Sequence, residues 1–171
     1  MTATSAAPAR PDRPIPNLPG AADAARAELL RAANINPRTG LATDYLNHFN
    51  EAVMLLEMIP DIPECADDFL GWRPLSYTEH FTASHFKARD LAIEAYNSAD
   101  PVIRTEFENI TSAMTSILSA VGAAMREARQ DKTRATLAEQ ATAWVKPLVA
   151  QAGGVINGRG GEADVDYIMT H

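Results

Sequence analysis

The chain has 171 residues, 46% of them hydrophobic and 22% charged, with a formal net charge of −7, which suits one globular domain with a sizeable core. An acidic surface repels phosphate backbones, and the tightest basic group (Arg126, Arg129, Lys132 and Arg134) reads as a solvated helix end, so no nucleic-acid partner is expected. No stretch has the roughly 20 strongly apolar residues of a spanning helix, so no membrane partner is expected either.

Residues 1–20 hold several prolines and alanines and little that could pack, which predicts a disordered arm without the apolar segment of a secretory signal. The alanine-rich AADAARAELLRAANI predicts an accessory helix, and NPRTG at 36–40 a turn. A long helix follows from about residue 41 to 59, stopped by Pro60. Successive residues about 100° apart put Tyr45, Leu46, Phe49, Ala52, Val53 and Leu56 on its apolar arc. His48 falls inside that arc once Leu55 and Ile59 widen it.

Cys65 is the sole cysteine, so no intrachain disulfide forms. Its acidic neighbours Glu64, Asp67 and Asp68 disfavour a thiolate. A lone thiol and no signal segment suit a reducing, cytoplasmic location. A short helix is predicted at 64–70, followed by Trp72, whose indole is a candidate cover for a second apolar face.

Ser76-Tyr77-Thr78-Glu79 has the spacing of a capping box, predicting a helix from Ser76 to about Asn97. His85 then lies mid-stripe between Phe81 and Ala92, with Tyr77 at the same stripe's start and His80 on the flank. Five residues apart, His80 and His85 point in different directions, so YTEHFTASHF is no metal motif by itself. Asp100-Pro101 marks the next start, an acid at the N-cap and proline at the first helical position, with the helix running to about Ala128. Its expected inward set is Ile103, Phe107, Ile110, Ala113, Met114, Ile117, Val121 and Ala124, with Glu106 on the same side. Residues 110–125 carry no charge and many small side chains, which suits either a helix packed on several sides or one face kept for a partner.

Asp131 is the expected cap of the last helix, which Pro147 should kink or end and Gly153-Gly154 should terminate. Residues 158–171 read as a flexible tail, although Val165, Tyr167, Ile168 and Met169 would let it dock. The fold class is therefore all-α. The expected domain, 21–157, is a four-helix bundle with an N-terminal accessory helix and flexible ends at 1–20 and 158–171.

Two histidines and a carboxylate, His48, His85 and Glu106, could converge from three helices as a facial triad of metal ligands. The alternative is a core histidine whose nitrogens reach a backbone carbonyl, a tyrosine or a buried carboxylate, as His85 with Glu106 would, which needs no metal. The order His48-Phe49-Asn50-Glu51 reverses the Glu-x-x-His of di-iron bundles, and no second copy exists. WRPLSYTEHF, residues 72–81, resembles DinB-like bundles, in which a Trp-Pro-Ser stretch leads into a helix bearing a metal histidine. The resemblance covers these ten residues; no later histidine pair completes a triad, and no family is assigned from it.

No nucleophile elbow or phosphate-binding loop is present. The expected function is protein–protein or small-ligand binding without catalytic machinery or cofactor. The partner would be a second copy or another protein, and the candidate ligand-binding residues are His48, His85, Glu106, Tyr77 and Trp72. The rival is a metal-dependent bundle enzyme using His48, His85 and Glu106. In a third reading the N-terminal arm or the C-terminal tail performs the recognition.

Overall fold

The strongest start signals act where the sequence puts them. Ser76 Oγ accepts from the Glu79 amide at 3.1 Å while Glu79 Oε1 accepts from the Ser76 amide at 2.9 Å, closing both halves of the capping box. Asp100 Oδ1 accepts from the Val102 amide at 2.9 Å, and Pro101 opens the longest helix.

The computed structural model describes residues 20–158, so the N-terminal arm and the C-terminal tail lie outside the described residues except for Gly20 and Gly158. Among the described residues seven helices follow one another: α1 (Ala21–Ala32), α2 (Leu46–Met58), α3 (Cys65–Gly71), α4 (Tyr77–Ala83), α5 (Arg89–Asn97), α6 (Pro101–Glu127) and α7 (Asp131–Ile156). A 3-10 turn, Thr43–Tyr45, leads into α2. Among the described residues there is no strand, only an isolated bridge between Ile35 and Ala42. The fold is all-α, with α6 and α7 as its central antiparallel pair. Helix α2 packs on α7, and α3 closes against both α2 and α6. This arrangement is consistent with a four-helix bundle whose remaining side is divided between α4 and α5.

That division corrects the expectation of one helix from Ser76 to Asn97. Ser84 turns extended at ψ 161°. Its hydroxyl donates to the Phe81 carbonyl at 3.0 Å and accepts from the Phe86 amide at 3.3 Å, a local alternative to helical bonding. Phe86 then folds back onto Phe81, with ring centres 5.4 Å apart.

Two further corrections concern glycine and register. The Gly153-Gly154 pair does not end α7, which continues to Ile156; a Cβ at Gly153 would lie at an ordinary contact distance, 3.8 Å, from Leu46 of α2. Pro147 sits on the exposed side and does not end the helix. On α6 the buried line is Phe107, Thr111, Met114, Leu118, Val121, Gly122 and Met125. Ile103, Ile110, Ile117 and Ala124 are only partly buried, and Ala113 is exposed. The expected inward arc was centred too far to one side.

At 36–41 the chain reverses tightly. The Gly40 amide donates to the Asn36 carbonyl at 2.7 Å, and Gly40 has φ +73°. A Cβ there would meet the Ala95 carbonyl oxygen at 2.8 Å, so both conformation and space demand glycine. This turn seats Leu41, Ala42 and Tyr45 in the core beside Phe49, Phe81 and Phe107.

Candidate functional site

Because Ser76 sets the first turn of α4, Tyr77 points straight into the bundle, where it is buried. Its ring stacks on Tyr96 of α5 at 4.2 Å and 15°, and it lies 5.2 Å from Tyr45 and 6.1 Å from Phe107 of α6. Its hydroxyl accepts from the Ala42 amide at 2.9 Å. Tyr45 donates to the Leu75 carbonyl at 2.6 Å, tying the 3-10 turn to the segment before α4. Tyr96 donates a short hydrogen bond to Glu108 Oε1, and the Arg104 guanidinium lies 5.9 Å from the centre of its ring.

These rings border a cavity of about 530 Å³ between α4, α5 and α6. Its wall combines Tyr45, Tyr77, Tyr96 and Phe107 with the hydroxyls of Ser76, Thr111, Ser112, Thr115 and Ser116. The only charged residues lining it are Glu79 and Glu108. Hydrogen bonds from Ser76, chiefly from its backbone amide, hold the Glu79 carboxyl below its usual range, so it stays ionised. Burial pushes the Tyr45 and Tyr77 hydroxyls well above the ordinary phenol range. For Tyr96 burial is again the first cause, followed by the bond to Glu108. All three are therefore neutral phenols, able to donate but not to serve as bases at neutral pH.

Behind Tyr45 lies a second polar cluster. The His48 ring stacks on Trp72 at 4.6 Å and 26°, and the Trp72 indole donates to the His48 carbonyl at 3.1 Å. His48 Nε2 accepts from the Leu75 amide at 3.0 Å, which uses its lone pair. Burial first, and the neighbouring His80 second, lower its pKa from 6.5 to about 4. His48 is thus a neutral clamp on the segment carrying Trp72 and Leu75, its Nε2 meeting a backbone amide rather than the carbonyl, tyrosine or carboxylate expected of a core histidine. His80 Nε2 meets Asp44 Oδ2 at 3.0 Å, and its ring lies 6.1 Å from that of His48.

The structure does not bring His48, His85 and Glu106 together. His85 lies exposed on the connection between α4 and α5, because the helix breaks at Ser84 before the stripe reaches it. Glu106 lies exposed on α6, on the side away from the buried line. Among the described residues no group of three or more His, Cys, Asp or Glu side chains is placed to hold a metal.

Of the five sequence candidates, Tyr77 lines the large cavity, while His48 and Trp72 brace the wall behind it. Sequence reasoning missed Glu108 and Tyr96 as a pair. Their signal was spacing: two residues on either side of the Asp100-Pro101 turn, which folds α5 back beside α6. It also placed His80 on a flank, whereas His80 rather than His85 approaches His48. Among the described residues no helix is long and apolar enough to cross a membrane. Comparison with known proteins finds no matching family model, no similar curated protein and no similar solved structure.

Proposed function

We propose that this chain is a small-ligand-binding helical protein whose ligand is a compact organic cation, an amine or quaternary ammonium group carried on a small polar body. The observation that carries the reading is the composition of the 530 Å³ cavity: four aromatic side chains, two carboxylates, five hydroxyls and no cationic side chain. Its volume lies within the range of small-molecule sites, roughly 300–1,000 Å³. Tyr45, Tyr77 and Phe107 are almost wholly buried, so Tyr96 is the partly exposed ring, and a ring face attracts a cation through its quadrupole by about 0.5–2 kcal/mol. Glu108 and Glu79 add opposite charge, and the Ser and Thr hydroxyls can orient a hydroxylated ligand. An anionic ligand would face two carboxylates with no lysine or arginine in the lining to offset them.

The test is isothermal titration calorimetry of the full chain with choline and putrescine, against the neutral alcohol 3,3-dimethylbutanol and acetate. Saturable binding of a cation at sub-millimolar Kd, weakened about tenfold or more by Glu108→Gln, is the expected result, since a charge-assisted contact contributes about 1.5–3 kcal/mol. Equal binding of the neutral alcohol, or no binding by any cation, would refute the reading.

A further inference from the structure

The outer side of the α6–α7 pair shares only Ser116 with the lining of the cavity above. A groove of about 410 Å³ runs along it, and all its lining residues belong to these two helices, so no other described element covers it. Its α6 side mixes the small Ser116, Ala120 and Ala124 with Ile117 and Val121, and on the α7 side Trp144 is 56% exposed. At about 100° per residue, the α6 side of this face carries no charge between Glu106 and Glu127. On α7, Lys146 points elsewhere, pairing with Glu57 of α2 at 2.8 Å. Arg134 is turned onto the Met125 and Ala128 carbonyls, 3.0 Å from each.

We infer that this face is the contact between two copies of the chain, related by a two-fold axis. A two-fold contact requires one patch to carry both a projection and the hollow that receives it. The exposed Trp144 lies across the groove from the small side chains of Ser116, Ala120 and Ala124 on the same face, so the indole of each copy can seat over the small residues of the other. The size is compatible. The face of α6 that is free of charge between Glu106 and Glu127 spans about 20 residues and is therefore about 30 Å long. Two helices side by side at about 10 Å spacing give a face on the order of 600 Å² per partner, so about 1,200 Å² in all, the lower end of a stable interface. With no charge along its length, the face offers nothing to select a charged partner.

Sedimentation of the full chain from about 1 to 100 µM, with Ala120→Glu and Trp144→Ala, tests this. The expected result is a dimer with micromolar or tighter Kd, converted to monomer over the same range by Ala120→Glu and weakened about tenfold or more by Trp144→Ala, with helicity unchanged by circular dichroism. Ala120 is exposed, so glutamate there need not disturb folding; should that variant misfold, Trp144→Ala decides. A wild-type monomer throughout, or variants that dimerise as the wild type does, would overturn the inference. So would a monomer in which deletion of residues 159–171 opens Trp144 to a fluorescence quencher, since the occupant would then be the tail.

Discussion

Acid should weaken the fold through His48, and the size of the effect follows from its setting. Above pH 6.5 the imidazole is neutral in both the folded and the unfolded chain and contributes no pH dependence. Below that value the unfolded chain takes up a proton, whereas the folded chain resists until about pH 4, because the ring is buried between Trp72 and Tyr45 with Nε2 occupied by the Leu75 amide. Stability therefore falls as pH drops through this window. A fully sheltered ring would lose about 2.5 kcal/mol between pH 7 and 4.5. Water reaches part of this site, and screening reduces the expected loss to roughly 1–2 kcal/mol. The assay is urea denaturation at several pH values for the wild type and His48→Gln, whose neutral side chain keeps an acceptor. The carboxylates titrate alike in both proteins and cancel in the difference. The wild type should lose about 1–2 kcal/mol more than the variant between pH 7 and 4.5. Parallel pH profiles would show that His48 is not held neutral by the fold.

Three further perturbations have defined outcomes. Phe81→Ala removes a fully buried ring that touches Tyr77, His80 and Phe86, and should cost about 3–5 kcal/mol in denaturant titration. Tyr77→Phe keeps the packing but strands the buried Ala42 amide, and should cost about 1–3 kcal/mol, read as a lowered Tm. Gly40→Ala combines a positive φ with a Cβ 2.8 Å from the Ala95 carbonyl oxygen. It should destabilise by about 2 kcal/mol or more, well beyond the ordinary effect of a surface substitution.

The starts of α4 and α6 were legible because their causes are local: Ser76 with Glu79, and Asp100 with Pro101, satisfy backbone groups within a few residues. The inward placement of Tyr77 followed directly, since it is the residue next to its cap, and the aromatic content of the interior was equally visible. The all-α class needed only helical periodicity, long charge-poor stretches and the absence of strand alternation. These are properties a chain carries before it folds.

The break at Ser84 was different, because a serine inside a helical pattern is neutral until Phe86 has a Phe81 to fold back upon. That single event moved His85 to the surface and left His80 to meet Asp44 and approach His48, so the residues around the clamp changed with it. On α6 the sequence offers two apolar lines, one through Phe107, Met114 and Leu118 and one through Ile110, Ile117 and Ala124. A helical period measures the angle between such lines but not which of them faces the other helices. The packing of α2, α3 and α7 decided that, burying the first line and leaving Ile117 and Ala124 of the second, with Trp144, along the outer groove. The glycines of α7 carry the same lesson: read locally they end a helix, yet α7 runs through both to Ile156 while packed on α2. The sequence by itself determined the helices, their starts and the aromatic core. Tertiary structure decided which faces meet, because the choice between two apolar faces depends on the area each can bury against a neighbour.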